Sequence, residues 1–259
     1  MPPGNGTPRP GPGEPAPPLT ARSVLASALL GMDPPELPVA QLVRLTGLFG
    51  ISENRARVAL SRMVAGGEAT SDGTGRYRLG GHLAARQSRQ SASRAGVTAS
   101  YDGEWWLAVV TTTGSSAEVR GARRRTLAYG RLAELREGVW MRPANLAVRL
   151  PDPLGGDIEL MTARPGEPVA LAHRLWDLAQ WSARARDLQR DLLALVPDAP
   201  DALAPGFELS AAVLRHLQAD PLLPPEILPD DWPGAPLRAT YDEWDARYRT
   251  TLREWSRAG

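Results

Sequence analysis

Residues 50–79 read GISENRARVALSRMVAGGEATSDGTGRYRL, and this stretch limits the fold more than any other. Ala56, Ala59, Leu60, Met63 and Val64 fall at i, i+3, i+4, i+7 and i+8, the spacing of one buried helix stripe. Asn54, Arg55, Arg57, Val58, Ser61 and Arg62 then take the opposite face. Gly50 and Ile51 make a tight turn ahead of the helix. Ser52 is an N-cap candidate, and Glu53 sits beside the positive helix end. Gly66 and Gly67 end the helix. The runs EATS and RYRL then flank DGTG, a strong hairpin signal. An arginine-bearing amphipathic helix therefore leads directly into a glycine-tipped hairpin carrying Arg76 and Arg78.

Upstream, Thr20 caps a first helix through ARSVLASALLG to Gly31. MDPPELP reads as a loop, because its prolines stop one helix and introduce the next. VAQLVRLTGLFG is a second helix, with Leu42, Val43 and Leu45 toward a core. Three helices and a two-stranded hairpin over residues 20–82 are the layout of a winged helix-turn-helix. Its third helix suits the major groove of DNA, where arginine pairs with guanine and asparagine with adenine. The candidate contacts are Ser52, Asn54, Arg55, Arg57, Ser61 and Arg62 on the helix. Thr74, Arg76 and Arg78 in the wing would reach phosphates or a minor groove.

Charge agrees with this placement. Thr20–Arg94 holds ten arginines and five acids, 10 − 5 = +5, whereas Asp201–Gly259 holds six arginines and ten acids, 6 − 10 = −4. Opposite ends with opposite charge point to separate modules with separate partners. All 30 basic residues are arginine and there is no cysteine. The sequence thus supplies no thiolate and no cysteine metal ligand, which fits a reducing, cytoplasmic setting. The three histidines, His82, His173 and His216, lie far apart with no metal-ligand spacing. No cofactor and no metal are expected. No apolar run is long enough to span a membrane.

Residues 1–19 are proline- and glycine-rich and are read as a disordered tail. Residues 83–99 are a polar linker or linking helix. EWWLAVVTTT is a buried strand, SSAEVRGARRRTLAYG a capped amphipathic helix, and AELREGVWMRPAN and DIELMTAR supply further strands. That order suggests a ferredoxin-like α+β domain over residues 100–170. Trp105 and Trp106 read as one tryptophan in each direction with one of them core, the other reading being an aromatic ligand platform. Arg123–Arg125 read as a solvated helix face, the other reading being contacts to phosphates of DNA or of an anionic effector. Residues 171–259 are mostly helical. One helix is expected over 173–196, a second over 207–220 and a last over 239–255. The chain is therefore expected to be α+β, with three folded parts. No glycine-rich phosphate loop, nucleophile elbow or paired acid and base appears, so no enzyme is expected.

The stretches LFGISENRARVALSRMVAGGE, GTGRYRL and DPLLPPEILPDDWPG, with YDGEWWLAVV and GVWMRP between them, resemble the PaaX family of transcriptional repressors. The resemblance runs from about residue 20 to 255. It implies an N-terminal winged helix, a central ferredoxin-like domain, a C-terminal helical domain, a homodimer and a palindromic operator in double-stranded DNA. Arg57 and Arg62 fall on the family's recognition-helix arginines. Known members release DNA on binding phenylacetyl-coenzyme A. An acyl-coenzyme A or aromatic acid is accordingly the expected effector here, with Trp105, Trp140, Arg142 and Trp232 as candidate contacts. Two other readings are a metal-dependent nuclease built on the ferredoxin-like domain, and a winged helix that docks a protein.

Overall fold

The computed structural model describes residues 20–32, 34–96, 98–148, 157–199 and 201–257. The expected tail, 1–19, lies outside them. The chain is α+β and divides into two compact units, 1–87 with 256–259 and 88–255.

In the first unit, α1 (Ala21–Leu30) starts in a reciprocal cap. Thr20 Oγ1 accepts from the Ser23 amide at 3.1 Å, and Ser23 Oγ accepts from the Thr20 amide at 2.9 Å. Val24, Leu25 and Leu29 of α1 and Leu42 and Leu45 of α2 (Val39–Gly47) are buried where the two helices pack. Ala56, Leu60 and Met63 of α3 (Glu53–Ala65) close this core. Gly50, at φ +67°, turns the chain between α2 and α3 in a conformation that a side chain disfavours, and buried Ile51 pins the turn. Val64 was expected on the buried stripe but is 38% exposed. It lies in the last turn of the helix.

MDPPELP is not all loop. Glu36–Pro38 forms β1, which pairs antiparallel with β3 (Arg76–Leu79), and β3 pairs with β2 (Ala69–Ser71). The sheet order is β1-β3-β2, so the hairpin is the larger part of a three-stranded sheet. Pro38 is compatible with a strand because β1 is at the edge and needs no amide donor on its open side. Residues Gly81–Ala95, expected as linker or linking helix, form α4.

The second unit is built on a four-stranded sheet of order β5-β6-β4-β7, with every neighbour antiparallel. The strands are β4 (Trp105–Val110), β5 (Ala133–Arg136), β6 (Val139–Pro143) and β7 (Ile158–Ala163). Helix α5 (Ala117–Tyr129) connects β4 to β5 and starts at Ser116, whose Oγ accepts from the Val119 amide at 3.2 Å. The period-2 alternation of β4 divides its residues between two cores. Ala108 packs with Trp140, Ile158 and Leu127 of α5. Trp105 faces the other way, with Met141, against Leu171 and Ala172 of α6 (Pro168–Leu175), Leu178 of α7 (Leu178–Ala194), and Leu223 and Ile227.

The helix expected over 173–196 is therefore two helices. Trp176 is extended, with φ −129° and ψ 139°, and Asp177 caps α7 by accepting from the Gln180 amide at 2.9 Å. Trp176 lies 6.2 Å from Trp105 between ring centroids. It packs against the core that holds Trp105. Helices α8 (Leu203–Gln218) and α9 (Gly234–Arg257) complete the fold. Tyr248 Oη donates to the Leu203 carbonyl at 2.6 Å, and Trp181 of α7 is stacked between His216 and Trp232 at 4.4 and 4.5 Å. No described helix is long and apolar enough to cross a membrane.

Candidate nucleic-acid interface

The 3.6-residue period of α3 decides what the first unit offers its surroundings. With Ala56, Leu60 and Met63 inward, Ser52, Asn54, Arg55, Arg57, Val58, Ser61 and Arg62 are all exposed. Ser52 occupies the N-cap position without a capping bond from its side chain. Arg57 is held by Glu53 one turn earlier, Nη2 to Oε1 at 2.7 Å, with both side chains more than half exposed. Ser61 Oγ donates back to the Arg57 carbonyl at 3.1 Å. An exposed i,i+4 pair of this kind is worth about 0.3–0.5 kcal/mol, so it orients Arg57 without binding it.

The hairpin tip is ordered by one carboxylate. Asp72 Oδ1 accepts from the amides of Thr74 (2.8 Å) and Arg76 (3.1 Å), and Oδ2 accepts from Thr74 Oγ1 at 2.8 Å. The Thr74 hydroxyl, then these amides, hold the Asp72 carboxyl below its ordinary range. Gly73 and Gly75 have φ +78° and +92°, which an L side chain disfavours. The Thr74 hydroxyl is thus spent on the turn, although the residue stays exposed.

Arg76 and Arg78 lie two apart on β3 and share a face. Both reach Glu36 of β1: Arg76 Nη1 to Oε1 at 3.0 Å and Arg78 Nε to Oε2 at 2.5 Å. Glu36 and Arg78 are register partners. Sequence reasoning missed Glu36 because it placed the residue in a loop. The available signal was an acid followed by Leu37, bracketed by prolines. Glu36 leaves these two arginines with one net positive charge. Such surface pairs are worth about 0–1 kcal/mol, so Glu36 holds the two arginines only weakly.

The four candidate effector contacts lie in the second unit and do not meet in one place. Trp105 is fully buried and donates through Nε1 to Tyr101 Oη at 2.9 Å. Trp232 packs at the edge of the same core, whereas Trp140 belongs to the core on the α5 side. Arg142 is fully buried and donates to the carbonyls of Pro143 (3.0 Å) and Leu222 (3.3 Å) and to Asn145 Oδ1 (3.0 Å). Burial, with Arg131 adding to it, pushes the Arg142 guanidinium down to about 9, which leaves it charged at neutral pH. Leu222 is in the left-handed region at φ +51°, so Arg142 and Asn145 together clamp a strained carbonyl.

The family described as PaaX-like protein matches residues 20–86, and the one described as PaaX-like protein C-terminal domain matches residues 175–258. No curated protein matches. Among solved structures, the uncharacterized protein Rv0674 from Mycobacterium tuberculosis is similar, with a TM-score of 0.72 and 41% identity over 92% of this chain and 99% of that one. The front of the chain and its back match the same family in order, and the shared identity extends through the sheet between them; this protein belongs to the PaaX-like family.

Proposed function

We propose that the protein is a dimeric, sequence-specific DNA-binding transcriptional regulator that represses a catabolic operon in the cytoplasm. Family membership suggests a transcriptional regulator. The observation that carries the finer reading is the exposed face of α3, with Arg55, Arg57 and Arg62 beside Asn54 and a glycine-tipped hairpin following in sequence. Residues 20–82 act as a winged helix-turn-helix whose α3 enters the major groove of one half of a palindromic site. Arg76 and Arg78 exchange Glu36 for phosphate oxygens. Residues 83–99 link this part to a ferredoxin-like frame over 100–170, a reading supported by the β5-β6-β4-β7 order and the α5 crossover. Residues 171–259 are the C-terminal helical part. An acyl-coenzyme A or aromatic acid binds the second unit and favours a dimer geometry that no longer fits the operator. The effector must prefer that geometry, since a ligand with equal affinity for both states shifts neither.

Fluorescence anisotropy with duplexes tiled across the region upstream of the gene tests this. One duplex should bind about 10³-fold or more tightly than its scrambled version. Affinity should fall with salt, with a log–log slope of roughly −0.9 per phosphate contact. Equal binding to the scrambled duplex, or insensitivity to salt, refutes the reading.

A further inference from the structure

Strand β4 stops at Val110, and the chain runs through Thr111–Ser116 into α5. With the β5–β6 turn, this loop and the start of α5 enclose a cleft of about 600 Å³. Arg123 lines it and is 4% exposed. Its Nη1 donates to Thr112 Oγ1 at 3.1 Å and its Nη2 to Ser115 Oγ at 2.9 Å. Its Nε meets no acceptor, and no carboxylate pairs with it among the described residues. Arg123 is thus a buried cation held by two neutral hydroxyls, an expensive arrangement unless an anion completes it.

The surroundings favour an anion at this place. Arg120 and Arg124 also line the cleft, and Arg120 Nη1 donates to the Ser115 carbonyl at 2.5 Å. The acids there are Glu134, which is paired with Arg124, and Glu137 at the strand turn; Glu118 lies in the first turn of α5. A Cβ on Gly114 would meet nothing within 4 Å, so the loop leaves room for a group outside it. Val110 and Trp140 supply an apolar wall, and the volume is that of a small-molecule site.

We propose that this cleft binds the phosphate group of a phosphorylated small molecule. The phosphate oxygens take donors from Arg123, Arg120 and the hydroxyl loop, and the organic part lies along Val110 and Trp140. Two guanidiniums and the loop hydroxyls offer donors from several directions. That suits a tetrahedral oxyanion better than a planar carboxylate. Only the further step of calling this ligand an effector would rest on the regulator reading; binding itself is measured without DNA.

The test titrates the full chain with inorganic phosphate, phenyl phosphate and benzoate at constant ionic strength, read by calorimetry and by the thermal midpoint. Both phosphates should bind saturably and raise the midpoint. Phenyl phosphate should bind more tightly than phosphate, and benzoate at least about tenfold more weakly than phenyl phosphate, having lost the tetrahedral group. Arg123→Met should abolish the phosphate response without lowering the midpoint of the unliganded protein, because it removes an uncompensated charge. A purely structural Arg123 would lower that midpoint instead. Should Arg123→Met fail to fold, exposed Arg120→Ala carries the test and should weaken phenyl phosphate several-fold. Arg125→Ala, on the same helix but outside the cleft lining, should change nothing. Absence of saturable phosphate binding, equal affinity for benzoate, or parental affinity in both Arg123→Met and Arg120→Ala overturns the proposal.

Discussion

Asp220 opens the proline-rich segment DPLLPPEILPDDWPG, and the structure makes it an anchor. It is 1% exposed. Oδ2 accepts from Arg238 Nη2 at 2.8 Å, and Oδ1 accepts from the Leu222 amide at 2.9 Å. Arg238 is itself largely buried, and its Nε donates to the Ser93 carbonyl at 3.0 Å. Asp220→Ala strands the Arg238 guanidinium and frees Leu222 from the bond that helps hold its left-handed conformation. Breaking one side of a buried pair costs about 3–5 kcal/mol. For a unit of this size each kcal/mol moves the melting point by about 2–4 °C, so the variant should melt about 10 °C lower. Asp220→Asn keeps an acceptor for Leu222 and should lose less. Adding Arg238→Met to Asp220→Ala should recover part of the loss, with a coupling of about 1–3 kcal/mol. Thermal and urea unfolding of five proteins, the parent, these three variants and Arg238→Met alone, read this directly. If Asp220→Ala melts within about 2 °C of the parent, the buried pair carries no such weight and the reasoning fails.

Four shorter predictions accompany it. Arg57→Ala should weaken operator binding by about 1–3 kcal/mol and blur one base position; an unchanged dissociation constant removes Arg57 as a reader. Glu36→Gln releases Arg76 and Arg78, so it should tighten DNA binding several-fold and steepen the salt dependence; unaltered binding would mean that this face does not meet phosphates. Gly206→Ala puts a Cβ 2.5 Å from the Tyr248 ring, which cannot swing away inside the helix pair, and should cost about 1–3 kcal/mol in urea unfolding. Burial lowers the His216 pKa beneath its ordinary value, despite the bond to the Trp181 carbonyl at 3.0 Å, so the folded state binds fewer protons than the unfolded state. Stability is then full above about pH 6.5 and declines as pH falls through the folded pKa. His216→Phe, which keeps the stack on Trp181, should flatten that decline, and an unchanged pH profile would show that His216 is not its source.

Local signals carried much of the element pattern. The start of α1 at Thr20 was legible because a cap is read over four residues, and the hairpin because DGTG requires positive φ. The outward arginines of α3 followed from helical period alone. What escaped notice depended on distant partners. Strand β1 exists only because β3 lies beside it, and its prolines argue for a loop when read in isolation. The break at Trp176 coincides with its contact on Trp105, far away in sequence. Arg123 looked like one of three solvated arginines, yet α5 turns it under the loop that precedes the helix while Arg125 stays exposed.

By itself, then, the chain determined the three helices of its first unit, the cap at Thr20, the glycine turns and the face on which α3 carries charge. These depend on spacings of a few residues and on steric limits that hold in any context. Tertiary structure alone decided which charges are paired. Glu36 on Arg76 and Arg78, Asp220 on Arg238, and the lack of a carboxylate for Arg123 among the described residues all join segments that the sequence keeps apart. Electrostatic energy depends on distance in space and on burial, and neither can be read from order along a chain.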